Sequence, residues 1–324
     1  MLKTRLCDIL GIDVPFLLAP MGAGGTSAEL AAAVSNHGGL GGIGTLFREP
    51  GAIRRDIDVV RQLTNRHYAI SHIPTVLDRE MFDYTLAAQP AVISFALGDP
   101  GDLVREAHDA GALVITQVTT VGQAVQAARN GTDVIIAQGG EGGGYSGTVS
   151  TMALVPQVVD AVSPVPVVAA GGIFDGRGVA AALTLGAVGV NLGTRFLASE
   201  EAPVETAYKQ AIAEARSEDA IKAGIINEIK PLPGTVGYGT VLRALRSPFL
   251  DEWTAKPDQA RREGERLWEE IGRRHKAGLR RETLATAGQT VGGIGEILPV
   301  SEIIRRLVAE TETALAAAGR TVSV

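Results

Sequence analysis

"VVAAGGIFDGRGVAAALTLGAVGVNLGTRF", residues Val167 to Phe196, contains two short apolar runs separated by a helical pattern. The runs "VVAAGG" (Val167 to Gly172) and "GVNLGT" (Gly189 to Thr194) are apolar at successive positions rather than alternate ones. Strands read this way when both faces of a parallel sheet are covered. Between them "GRGVAAALTLGA" (Gly176 to Ala187) repeats Val, Ala and Leu at helical spacing. Strand, helix and strand within roughly 30 residues make a parallel βαβ unit.

The same unit recurs upstream. "FLLAPM" (Phe16 to Met21), "LGGIGT" (Leu40 to Thr45), "YAISHI" (Tyr68 to Ile73), "VISFAL" (Val92 to Leu97), "LVITQV" (Leu113 to Val118) and "VIIAQG" (Val134 to Gly139) read as six further strands, which brings the total to eight. In "SAELAAAVSNHGG", Ser27 is a candidate N-cap and Gly38 and Gly39 stop the helix; "TTVGQAVQAARNG" repeats that arrangement. Strand starts recur roughly every 20 to 30 residues, and a (β/α)8 barrel of about 250 residues closes on eight such units. The predicted fold class is therefore α/β, a (β/α)8 TIM barrel.

After Phe196 the pattern changes. Residues 200–290 hold charged helical stretches and a Pro/Gly-rich segment, "IKPLPGTVGYGT", before "VSEIIRRLVAETETALAAAG" resumes an apolar helical period suited to packing on the barrel. The expected division is a barrel from 1–199 and 291–324 with a mainly helical insertion at 200–290. The charged run from Arg261 to Arg281 reads as a solvated face.

Of 324 residues, 45% are apolar, enough for a large core, and 30 basic against 36 acidic residues leave a net charge of −6. That balance supplies no basic field for nucleic acid or anionic lipid, so a small-molecule partner is expected. The single cysteine, Cys7, excludes an intrachain disulfide and a cysteine-based metal cluster, and fits a reducing compartment. "MLKTRLCDILGID" lacks a signal-peptide core and no segment approaches about 20 unbroken apolar residues, so a cytoplasmic location without membrane association is expected. The oligomeric state is left open.

In such barrels the site lies at the C-terminal ends of the strands, with phosphate held by the loops after the last two. Here those loops offer Gly171, Gly172, Gly193 and Thr194, whose adjacent amides and one hydroxyl suit an anion. Arg177 and Arg195 would either add charge or pair with carboxylates. "QGGEGGGYSG", Gln138 to Gly147, places Glu141 and Tyr145 among six glycines, a run that suits a positive-φ loop or a ligand lying directly on main chain. "GGLGGIG" also satisfies G-x-G-x-x-G through Gly39, Gly41 and Gly44, but it follows a helix and forms a strand, whereas a dinucleotide fingerprint follows a strand and opens a helix.

"LLAPMGAGGTSAELAAAVSNHGGLGGIGT", "VISFALGDP", "AQGGEGGGYSG" and "AAGGIFDGRGVAAALTLGAVGVNLGTRFL" together resemble the nitronate monooxygenase (2-nitropropane dioxygenase) family of FMN-dependent barrels, and "TAGQTVGGI" resembles it near the end. FMN-dependent enoyl-acyl-carrier-protein reductases are similar to the same pattern. The resemblance implies FMN as cofactor, with Met21 and Gly22 against the flavin ring. It places Gln117 and Gln138 at the polar edge or ribityl chain, Gly142 and Gly143 close by in the glycine loop, and Gly171, Gly172, Gly193 and Thr194 on the phosphate. Where the family has Asn near the end of strand three, this chain has Ser71, which can still hydrogen-bond the flavin; His72 beside it is left open between a ligand and a packed side chain.

The family's E-x-G-G-H segment ends in a histidine that acts as base or proton donor, and here Tyr145 replaces it. A phenol titrates near ~10, so Tyr145 is expected to donate a hydrogen bond or proton rather than to abstract one. Glu141 reads as a structural cap, and His37 and His108 as structural. Three functions follow as expectations. The first is oxidation of a small ionised nitronate with oxygen, the second NAD(P)H-dependent reduction of an enoyl thioester or quinone, and the third a barrel that binds a flavin or phosphorylated ligand without turnover.

Overall fold

The computed structural model describes residues 2–233 and 238–321, so the centre of the Pro/Gly-rich segment, 234–237, lies outside the described residues. Eight parallel strands form the barrel: β1 (Phe16–Leu18), β2 (Gly41–Gly44), β3 (Tyr68–His72), β4 (Val92–Phe95), β5 (Leu113–Val118), β6 (Val134–Gln138), β8 (Val167–Ala170) and β9 (Gly189–Leu192), with β7 (Gly144–Ser146) standing outside it. All eight expected strands are present, each within the run read from sequence. β1 pairs with β9, Phe16 opposite Val190, and the ring closes where Leu17 bridges Leu40 and the Leu18 amide donates to the Leu40 carbonyl (2.9 Å).

Nearly every strand residue is buried because side chains fill the barrel on one face and meet helices on the other, which explains the unbroken apolar runs. The glycines of β2 serve that packing. A Cβ on Gly41 would lie 2.1 Å from the Ala31 carbonyl oxygen, and one on Gly42 would lie 2.7 Å from that of Leu18. Helix 28–36 and strand β1 press directly on the β2 backbone, so the glycine motif is a packing seam.

The helix starts are chemically marked. Ser27 accepts from the Leu30 amide, Thr120 from the Gln123 amide, and Asp175 from the amides of Arg177 and Gly178, each satisfying first-turn donors. Helix Val300–Thr321 crosses helix Gly176–Thr184 so closely that a Cβ on Gly176 would lie 2.2 Å from the Thr311 amide nitrogen.

Between β9 and that last helix the chain forms helices Thr206–Glu214, Ile225–Ile229, Pro248–Thr254, Pro257–Arg262 and Gly264–Lys276, and strands β10 (Ala220–Lys222) and β11 (Val241–Leu245). Strand β11 pairs antiparallel with β10 on one side and with β7 on the other, placing Leu242 opposite Tyr145. This segment therefore extends the glycine loop into a three-stranded sheet at the barrel mouth. Most charged side chains of the Arg261–Arg281 run lie at the surface, several of them ion-paired, as in Arg261 with Glu228 and Arg266 with Glu263, while Leu267 and Ile271 are buried. Arg280 departs from the expected solvated face. Its side chain is mostly buried beside Glu205 and donates to the Ala23 carbonyl (3.0 Å), because the segment folds back over the loop after β1.

Candidate active site

A cavity opens at the C-terminal ends of the barrel strands, and all twelve residues picked out from sequence line it: Met21, Gly22, Ser71, Gln117, Gln138, Gly142, Gly143, Tyr145, Gly171, Gly172, Gly193 and Thr194. Strand order brings them together. Met21 follows β1, Ser71 lies on β3, Gln117 on β5 and Gln138 ends β6, while Gly172 and Gly193 follow the neighbouring strands β8 and β9. A Cβ on Gly193 would lie 3.6 Å from the Met21 sulfur, so β1 and β9 present one continuous rim.

Four buried polar atoms of residues lining this cavity have no hydrogen-bond partner among the described residues: Ser94 Oγ, Gln138 Oε1, Tyr145 Oη and Asn191 Oδ1. Leaving a buried polar group unpaired costs about 1–3 kcal/mol, so four converging on one space fit a polar ligand that satisfies them. A flavin, with donors and acceptors along one ring edge and a polyol chain, suits that set. Ser94 and Asn191 were not singled out from sequence, although each is a polar residue interrupting an apolar strand. That interruption was the available signal.

Beside Gln138 and Asn191 in the same lining, Gly171 (φ 90°) and Gly172 (φ 74°) hold left-handed conformations that only glycine adopts readily. The Gly288 amide donates to Thr194 Oγ1 (2.9 Å), and Gln289 donates through its amide to the Glu141 carbonyl (3.0 Å). Thr286, Gly288 and Thr290 thereby join the lining. Arg177 is exposed and paired with Asp175, while buried Arg195 donates to the carbonyls of Ala198 and Glu296. Neither arginine lines the cavity, so a phosphate there would rest on main-chain amides and Thr194.

Much of the glycine run answers to chain packing. A Cβ on Gly139 would lie 2.0 Å from Thr151 Oγ1, one on Gly143 2.7 Å from the backbone of Ala287 and Gly288, and one on Gly147 2.8 Å from the Thr119 Cβ. Glu141 is a cap. Its carboxylate accepts from the Thr151 amide (3.0 and 3.1 Å) and from Thr151 Oγ1 (3.0 Å), tying the loop to the start of helix Thr151–Val162.

Tyr145 is buried among Ile73, Leu97 and Leu242, and burial pushes its phenol up to about 12. Its hydroxyl stays protonated at neutral pH and is free to donate. Besides Glu141, no other acid, base or cation lines the cavity among the described residues, and no cluster of His, Cys, Asp or Glu could hold a metal ion.

His72 points away from the cavity lining. Its Nε2 donates to Thr85 Oγ1 (3.0 Å), whose own proton goes to the Met81 carbonyl, and its ring meets Phe82 edge-on. Alternation along β3 turns Ser71 inward and His72 outward. His37 bonds the Ala33 carbonyl at the surface and His108 pairs with Asp133, both away from the cavity. Burial holds the His72 imidazole down at about 4, below the ~6.5 of the unfolded chain. Its contribution to stability is full above pH ~6.5 and is lost as pH falls toward 4. His72→Gln is expected to reduce this acid destabilisation by on the order of 2 kcal/mol, measured as denaturant midpoints at pH 7 and pH 4.5. His275, also held at about 4 by burial, adds to the acid slope in the same direction. Flavin affinity should stay within about twofold; a large loss would place His72 in the site after all.

The family model described as nitronate monooxygenase matches residues 3–75 and 72–310. A probable nitronate monooxygenase of Staphylococcus aureus (strain JH9) is 33% identical over 297 residues, covering 77% of this chain and 80% of that protein. One from Staphylococcus saprophyticus is 33% identical over 281 residues, covering 72% and 78%. Among solved structures, FabK from Thermotoga maritima superposes with a TM-score of 0.88 at 34% identity, covering 99% of this chain and 100% of that one. A nitroalkane oxidase from Streptomyces ansochromogenes gives 0.79 at 26% identity, covering 97% and 100%.

Proposed function

The chain belongs to the nitronate monooxygenase family and is a flavin-dependent oxidoreductase, and on that premise we propose that it uses FMN to oxidise a small, already ionised nitronate with oxygen. The observation that carries this reading is the protonated phenol of Tyr145 in a cavity whose one carboxylate is consumed by Thr151. Among the described residues the lining offers only that hydrogen-bonded carboxylate and a phenol that keeps its proton, which suits a substrate that arrives as an anion.

FMN, when bound, would supply the electron acceptor for the nitronate and the reductant for oxygen. Gln138, Ser94 and Asn191 would satisfy its polar edge and chain, and Gly171, Gly172, Gly193 and Thr194 would hold its phosphate. Met21 and Gly22 would back the ring. Tyr145 would donate its hydroxyl proton in a hydrogen bond to a nitronate oxygen, neutralising part of the charge. Ile73, Phe95, Leu97 and Leu242 exclude water around it and strengthen that bond.

A second reading is a reductase passing hydride from NAD(P)H through the flavin to an enoyl thioester or quinone. The free Tyr145 hydroxyl favours it, since a neutral phenol can protonate a developing enolate. The deciding measurement is anaerobic mixing of the FMN-loaded protein, followed by flavin absorbance. Bleaching by a pre-ionised nitronate, with none over minutes from NADH or NADPH, is expected. Rapid bleaching by a nicotinamide alone would transfer the assignment to the reductase, and a colourless protein that FMN cannot reconstitute would remove both.

A further inference from the structure

Two cations from beyond the barrel hold the glycine loop at its two ends, and they do so through carbonyls. Lys222, ending β10, donates from Nζ to the Ser146 carbonyl (2.8 Å), Ser146 Oγ (2.7 Å), the Gly147 carbonyl (2.9 Å) and the Val241 carbonyl (3.2 Å). Arg243, on β11, donates from Nε (3.2 Å) and Nη2 (2.9 Å) to the Gly140 carbonyl, and from Nη1 to that of Ala220. Ser146 Oγ passes its own proton to the Gly142 carbonyl (2.9 Å), extending the grip of Lys222 back into the loop. Neither cation forms an ion pair with a carboxylate among the described residues.

Tyr145 sits between these anchors on a strand of three residues, and no hydrogen bond from the described residues fixes its hydroxyl. The hydroxyl's place over the cavity is therefore set by the backbone that carries it. Carbonyl dipoles pointing at one spot repel one another, and a charged ammonium with three donors reverses the sign of that encounter. A residue of similar length with no donor takes these hydrogen bonds away from the carbonyls of Ser146, Gly147 and Val241.

We propose that Lys222 is a positioning residue that fixes the Tyr145 hydroxyl over the cavity by gathering the carbonyls of Ser146 and Gly147 against β11, with Arg243 securing the start of the loop. The proposal rests on Tyr145 acting on substrate for its catalytic consequence, but the positioning itself is legible without any flavin.

The test has two arms. In ligand-free protein, amide hydrogen exchange of the peptide spanning 139–149 is compared between the wild type, Lys222→Met and Lys222→Gln, with barrel-strand peptides as internal reference. The loop should exchange roughly tenfold faster or more in Lys222→Met while the barrel strands stay unchanged. Lys222→Gln, which keeps two donors, should be less affected and serves alone if the first variant does not fold. Unchanged loop exchange in the folded variants overturns the proposal. In the second arm, Lys222→Met is expected to lower kcat about tenfold in the wild-type background and by less than about twofold in Tyr145→Phe, since a residue acting through the hydroxyl has nothing left to position once it is gone. Additive losses in that cycle also overturn it. If Tyr145→Phe alone leaves turnover unchanged while the loop loosens, the positioning stands and the substrate role of Tyr145 falls.

Discussion

A neutral nitroalkane is expected to turn over about 10²- to 10⁴-fold more slowly, in kcat/KM, than the same compound supplied as its nitronate, because that is the range a positioned general base contributes. On the proposed correspondence Tyr145 takes the place of the family's histidine, and its burial moves its proton affinity away from the useful range, to about 12. Glu141, the other ionisable group in the lining, gives both carboxylate oxygens to Thr151. The sign of the pH dependence follows. A phenol with a raised pKa keeps its proton through neutral and mildly alkaline pH, so the rate on nitronate should show no alkaline loss from Tyr145 below about pH 10. Any rise in rate with pH on the neutral compound should track its ionisation in solution. Initial rates of flavin reduction with matched neutral and pre-ionised substrate check this. Equal rates would mean that another group takes the proton, and the reading of Tyr145 as a donor would fall.

The second large effect is expected at Gly143. A Cβ there would stand 2.7 Å from the Ala287 carbon and the Gly288 nitrogen, both main chain and unable to rotate away. Gly143→Ala must part the glycine loop from the 286–290 loop, taking the Gly288 amide off Thr194 and spoiling the proposed phosphate seat. Overpacking of this kind costs about 1–3 kcal/mol, which corresponds to roughly a tenfold to hundredfold weaker FMN affinity if the strain is relieved by opening the site. Gly144→Ala is the control. Its neighbourhood is open, so the substitution meets only the backbone penalty of φ 67°, about 1 kcal/mol. Titration of flavin fluorescence on apo-protein measures both. Equal affinity in Gly143→Ala and wild type would separate the loop contact from cofactor binding.

Little of the second result was legible in the chain. A glycine-rich stretch signals close approach without saying of what, and Gly139, Gly143 and Gly147 meet Thr151, the 287–288 backbone and Thr119, partners that no local pattern names. His72 shows the same limit at smaller scale. It neighbours Ser71 in sequence, yet the strand's alternation sends one side chain to the cavity and the other to Thr85.

The sequence by itself determined the eight barrel strands, the cap at Ser27, and the gathering of Met21, Gln117, Gln138, Gly172 and Thr194 at one end. Period, turn residues and strand ends are local signals, and barrel closure converts strand ends into neighbours. Only the tertiary structure decided that β11 pairs with β7, that Lys222 and Arg243 hold the glycine loop, and that Thr286, Gly288 and Thr290 return to the cavity. Those are contacts between segments roughly a hundred residues or more apart in several cases, and whether a buried polar atom such as Asn191 Oδ1 finds a partner is a property of assembled space rather than of any stretch of chain.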